Sequence, residues 1–151
     1  FNLKDTSYTA FNLFWPNSAK KTYNSTFFDY GVYQRYTYND VDLFLLDAMT
    51  FRSKDNSELY GSKQLDRMFQ EIKNTGATFT LIASPLPFTF DTEESFLNYQ
   101  KEFEYFLYKL EVSDLRGIVL LSANGSSGTL MNEYKYNKKG TRFECPCQLS
   151  N

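Results

Sequence analysis

The residue types that most often carry out enzyme chemistry are sparse in this sequence. Its 151 residues contain no histidine, which excludes a Ser-His-Asp or Cys-His nucleophile, an imidazole base and a histidine-ligated zinc site. The two cysteines, Cys145 and Cys147, flank Pro146. Cysteines this close rarely form a disulfide with each other, and two thiolates are too few for a structural zinc site. We interpret both as ordinary strand or loop residues.

Three segments follow predicted strands and could contact a ligand: 47–52, 84–88 and 122–128. Ligands of an open α/β sheet bind beyond the carboxyl ends of its strands. The Gly/Ser/Asn-rich segment 122–128 could offer backbone N–H groups to a phosphate. It lacks the Gly-Lys-Ser/Thr of a phosphate-binding loop, so an ordinary turn after a strand is favoured. Asp47 could bind a metal or stabilise a turn, and the turn is the commoner role. No pair of carboxylates stands out as an acid/base couple.

Strands and helices must position these segments. Short runs of apolar and β-branched residues predict the strands, and the turn pair Asn39-Asp40 joins the first two as a hairpin. The predicted strands are 32–38, 41–47, 77–83, 118–121, 129–136 and 141–145.

Two helices are predicted from apolar residues at helical spacing. The first carries Leu65, Met68, Phe69 and Ile72, and we expect Gly76 to end it.

The second predicted helix begins at a variant capping box formed by Asp91 and Glu94. We expect Glu93 and Glu94 to serve its N-terminus, where the helix dipole favours negative charge. Its stripe is aromatic, and such a stripe is far more often core than cofactor site. The stripe consists of Phe96, Tyr99, Phe103, Phe106, Leu107 and Leu110.

The fold class predicted from this order is α/β: a β-hairpin followed by strand, helix, strand, helix, strand. Right-handed crossovers would give a largely parallel sheet with both helices on one side. The apolar strands, however, indicate burial on both faces. Either the hairpin region or a missing part of the molecule must therefore cover the second face. The chain thus looks like half of a larger structural unit.

Composition narrows the function classes. The chain has 16 Lys+Arg against 18 Asp+Glu, a formal net charge of −2, which argues against a nucleic-acid or membrane-surface binder. Its 15 Phe, 12 Tyr and 1 Trp argue against disorder. No apolar run reaches the roughly 18 residues of a membrane span, and no signal peptide is visible. We predict a single domain over 1–151, and because the chain does not begin with Met we expect it to come from something longer. The compartment stays open.

Several motifs, taken in order, resemble the C-terminal half of PhoD-like alkaline phosphatases, which are calcineurin-like metallophosphatases. Tyr-Gln-Arg-Tyr-Thr-Tyr-Asn-Asp-Val-Asp at 33–42 is similar to the family's Tyr-Arg-Ser-Phe-Arg-Tyr-Gly-Asp-Val-Glu hairpin. The strand 43–47 resembles one ending in Leu-Asp, and 61–65 resembles the Gly-x-x-Gln start of a helix. The resemblance continues through three further elements: the following strand, which ends in Ser-Pro; an aromatic helix; and the strand before the family's Gly-Asp-x-His motif. Phe143-Glu144 resembles the aromatic-Glu pair that closes the family's domain. It implies half of a layered sheet sandwich and a metal-dependent phosphatase ancestry.

The departures from the family fall on its chemistry. The family's Gly-Asp-x-His corresponds to Ala-Asn-Gly-Ser at 123–126, so Asn124 stands at the acidic position and Ser126 at the imidazole position. An amide and a hydroxyl are poor substitutes for carboxylate and imidazole in a catalytic di-metal centre.

Further departures affect the pattern Asp-Thr-Arg-x-x-Arg. Asp47 and Arg52 remain, whereas Ala48 and Met49 replace the Thr and the first Arg. Gln34 replaces the Arg after the hairpin Tyr. The family's other metal ligands lie in an N-terminal half that has no counterpart in this sequence.

The leading hypothesis is a degenerate, catalytically inactive PhoD-like domain that serves as a structural or interaction module. It predicts no catalytic residue, no metal, no cofactor, no nucleic acid, and either a protein partner or a missing N-terminal half. The alternative is a phosphomonoesterase or phosphodiesterase whose N-terminal metal-binding half comes from a missing segment or another chain. A third hypothesis, a carbohydrate- or peptide-binding module, rests on the surplus of Tyr and Phe alone.

Overall fold

The fold was analysed in a computed structural model. It describes residues 31–88, 94–113, 115 and 117–123, the backbone of two strands at 131–136 and 141–145, and helical positions at 6, 7, 10, 11 and 14. In the described part of the chain, no helix has the length and apolar character needed to cross a membrane.

The predicted hairpin is confirmed. Strand β1 (Gln34–Tyr38) pairs antiparallel with β2 (Val41–Leu45), so that Tyr38 lies opposite Val41. Asn39 in the connecting turn has a φ of 50°, a left-handed conformation that asparagine tolerates better than most residues.

A four-stranded mixed sheet with the order β1-β2-β3-β4 forms the centre of the described chain. Strands β3 (Phe79–Ser84) and β4 (Ile118–Ser122) run parallel to β2 and to each other, whereas β1 is antiparallel. The predicted α/β class and strand order are therefore confirmed. A separate antiparallel ribbon, β5 (Met131–Tyr136) with β6 (Thr141–Cys145), also matches the predicted strands, and β6 lies alongside β4.

Helix α1 (Ser62–Lys73) connects β2 to β3 and packs through the predicted apolar stripe. Leu65, Met68, Phe69 and Ile72 are all buried. The helix ends at Asn74, where the backbone N–H still donates to Gln70 and Glu71 carbonyls. The expected stop at Gly76 is therefore two residues too late.

The second helix is shorter than predicted. A 3₁₀ turn (Phe96–Asn98) precedes it, and the Ser95 side chain caps this turn by accepting a hydrogen bond from the Leu97 N–H. Tyr99 adopts φ −104° and ψ 56°, which is not helical, so helix α2 spans Gln100–Val112. The prediction of one continuous helix from a capping box at Asp91 and Glu94 is wrong for its first turns, and Asp91 itself lies outside the described residues.

Aromatic rings form the core between the helices and the sheet. The ring of Phe96 lies edge-on to Tyr60, Phe103 and Phe106 at centroid distances of 4.7, 5.2 and 5.6 Å, a favourable arrangement of ring quadrupoles. From the sheet, Phe44, Ile82 and Ile118 belong to the same buried cluster. The interpretation of the aromatic stripe as core is confirmed.

The second face of the sheet is not covered by the hairpin. Strand β1 is an edge strand of the same sheet, and β2 lies inside it. The two hairpin strands therefore lie in the plane of the sheet and do not themselves form a layer over its second face.

Candidate functional site

The carboxyl ends of the parallel strands lie side by side and define the candidate site. Leu45 is in register with Ala83, and Ser84 is in register with Ser122. Beyond the strands, the Leu46 N–H donates to the Ala83 carbonyl at 2.9 Å and the Ala123 N–H donates to the Ser84 carbonyl at 3.1 Å. Segments 47–52 and 84–88 therefore meet at one edge of the sheet, together with the first residues of 122–128. We call this the carboxyl edge.

Asp47, the strongest acidic candidate, is buried and has a turn-stabilising role. Its Oδ1 accepts from the N–H groups of Met49 and Thr50 at 2.8 and 3.1 Å. Its Oδ2 accepts from the Val32 N–H at 2.9 Å and from the Thr50 hydroxyl. Gly31 packs against this carboxylate with a φ of +63°, and a Cβ at that position would overlap Oδ2. Both oxygens therefore serve the fold, and of the two predicted roles the structure supports the turn.

Gln64 connects this turn to helix α1. Its side chain is fully buried, donates to the carbonyls of Asp47 and Tyr60 at 2.9 and 2.7 Å, and accepts from the Asp47 N–H at 2.7 Å. One amide side chain thus satisfies both backbone groups of Asp47, which would otherwise be costly to bury. In the sequence, Gln64 stood out only as part of the Gly-x-x-Gln resemblance.

Glu102 on α2 holds the start of α1. Its Oε2 accepts from the N–H groups of Leu59 and Tyr60 at 2.7 and 3.0 Å, and its Oε1 accepts from the Gly61 N–H at 2.7 Å. Burial raises the pKa of Glu102, and the three amide hydrogen bonds act in the opposite direction. Sequence reasoning missed this residue, although a glutamate three residues after Tyr99 and four before Phe106, on an apolar stripe, was a usable signal.

Arg52 spans the carboxyl edge between two partners. Its Nε donates to the Tyr99 hydroxyl at 2.7 Å, and both terminal nitrogens lie 3.2 Å from Glu94 Oε1. The hydrogen bond to Tyr99, followed by that to Glu94, raises the pKa of the Arg52 guanidinium. Glu94 therefore pairs with Arg52 and does not serve a helix N-terminus, because α2 begins six residues later. Glu93 lies outside the described residues.

Ser84 is buried and fully engaged. Its Oγ lies 2.6 Å from the Tyr60 hydroxyl, donates to the Leu86 carbonyl at 2.7 Å and accepts from the Leu86 N–H at 2.9 Å. Burial raises the pKa of Tyr60, so this phenol is a poor base at neutral pH. Ser84 thus fixes the turn after β3, and none of its described hydrogen-bond partners is a base that could activate it as a nucleophile.

The remaining predicted positions are divided between the described and undescribed parts of the chain. Gln34 is buried and accepts from the Tyr36 hydroxyl. Ala48 is buried, whereas Met49 is 69% exposed. The two degenerate family positions, Asn124 and Ser126, lie outside the described residues, as does Cys147.

The described residues do not offer a metal-binding cluster. No three His, Cys, Asp or Glu side chains within this part of the chain are placed to hold one ion together. Asp47, the carboxylate at the carboxyl edge that was considered as a ligand, already accepts three backbone N–H groups and a hydroxyl. Both oxygens of Asp47 are therefore engaged by hydrogen bonds, whereas a catalytic metal ligand needs an oxygen directed at the ion.

Comparison with known proteins adds a likeness in fold. No family model and no curated protein matches the sequence. A solved structure described as "Structure of PhoD" superimposes with a TM-score of 0.60 and 17% sequence identity, over 83% of this chain and 29% of the PhoD chain. The chain therefore corresponds to less than a third of the length of PhoD. At this identity the comparison establishes the fold, and we conclude that the chain has the α/β fold of the corresponding part of PhoD.

Proposed function

We propose that this chain is a degenerate, catalytically inactive PhoD-like phosphatase domain that acts as a structural or interaction module. The observation that carries the proposal is that Asn124 and Ser126 stand where the resembling family has a carboxylate and an imidazole. The carboxylate of Asp47 is consistent with it, because its two oxygens accept four hydrogen bonds from the protein itself. A group used in this way supports the turn after β2 and is poorly placed for chemistry.

The other polar groups of the carboxyl edge support the same proposal. Arg52 is held by Tyr99 and Glu94, and Ser84 by Tyr60 and Leu86. The sequence adds Asn124 and Ser126 where the resembling family has a carboxylate and an imidazole. The proposal covers residues 1–151 as a single domain that corresponds to the C-terminal part of a PhoD-like phosphatase.

The alternative is a phosphomonoesterase or phosphodiesterase whose metal-binding half lies on a missing segment or on another chain. The likeness to PhoD over 83% of this chain favours it. It requires that metal ligands come mainly from outside the residues of this sequence.

Metal content and phosphatase activity separate the two hypotheses. We expect the protein, at its natural length, to contain no stoichiometric metal and to hydrolyse neither p-nitrophenyl phosphate nor bis-p-nitrophenyl phosphate above background. Stoichiometric metal together with turnover would contradict the proposal and support the alternative.

Restoration of the ligands gives a second measurement. The double variant Asn124→Asp with Ser126→His should raise metal binding if the rest of the site is intact. The two single variants, Asn124→Asp and Ser126→His, are the matched controls, and each should bind less metal than the double variant because it supplies only one of the two ligands.

A further inference from the structure

We draw no further inference here: the strongest candidate, the side-chain cluster between the β-hairpin and α1 in which the buried Nε of Arg35 has no acceptor among the described residues, carries none, because its guanidinium is already paired with Asp42 and nothing in the structure shows what other group would bind there.

Discussion

Replacement of Asp47 by asparagine tests whether the carboxyl edge is built for structure. Asparagine can keep one oxygen toward the N–H groups of Met49 and Thr50 but must then turn its NH₂ group toward the Val32 N–H. Two donors facing each other leave the Val32 N–H unsatisfied, which costs about 1–3 kcal/mol, and the remaining bonds lose the assistance of a charge. We expect Asp47→Asn to lower the free energy of unfolding by about 2–4 kcal/mol.

Urea denaturation followed by circular dichroism measures this loss. Hydrogen exchange should show faster exchange of the Val32 and Thr50 amides in the variant, because their acceptor has been removed or weakened. The matched control is Asp55→Asn in an exposed loop, where the carboxylate accepts from Ser57 and Ser53, and we expect a change within about 0.5 kcal/mol.

Two results would refute the reasoning about Asp47. One is a variant as stable as the unmodified chain, which would mean that the turn does not depend on the carboxylate. The other is a chain that Mn²⁺ stabilises, with a gain that Asp47→Asn abolishes. A ligand that binds only the native state raises its stability in proportion to occupancy, so that result would identify Asp47 as a metal ligand.

Three further predictions concern stability. Glu102→Gln should cost about 2–4 kcal/mol in urea denaturation, because its NH₂ group would face backbone N–H groups that the carboxylate now accepts; an unchanged midpoint would contradict the role of this carboxylate. Burial alone would raise the pKa of Asp42, but hydrogen bonds from Thr37, Thr75 and Arg35 hold it below its ordinary value of 3.8. Stability from Asp42 is therefore present above pH 3.8 and is lost as pH falls through the lowered pKa, so Asp42→Asn should be about 3 kcal/mol less stable at pH 7 and show a flatter acid limb; parallel stability curves for the two proteins would contradict this. Gly31→Ala should destabilise by at least about 1–2 kcal/mol, because alanine disfavours the φ of +63° and its Cβ would overlap a carboxylate oxygen; a thermal midpoint equal to that of the unmodified chain would exclude the clash.

The order of elements was predictable because it depends on local patterns. The β-branched and apolar runs placed β1 to β4 to within a few residues, and the spacing of Leu65, Met68, Phe69 and Ile72 located α1. The start of α2 was not predictable from spacing, since Phe96 and Tyr99 are buried at helical intervals from a 3₁₀ turn and a non-helical residue. Periodicity records which side chains are buried, and a 3₁₀ turn buries them at almost the same interval as an α-helix.

Roles within the carboxyl edge were only partly predictable. The sequence placed Asp47 at the end of β2 and left two roles open for it. The choice depended on Val32 and Gly31, 15 and 16 positions earlier, whose contacts with the carboxylate follow from the return of the hairpin. Glu94 was assigned to a helix terminus on local grounds, whereas its partner Arg52 is 42 residues away.

The sequence by itself determined which chemistry is excluded and which elements form. A chain without histidine cannot build an imidazole site however it folds. A short apolar run predicts a buried strand whatever the tertiary fold around it. Only the tertiary structure decided that the described polar groups of the carboxyl edge are used internally. The physical reason is that hydrogen bonds such as those from residues 59–61 to Glu102 join positions 41 to 43 apart, and no local pattern specifies which distant partners the folded chain brings together.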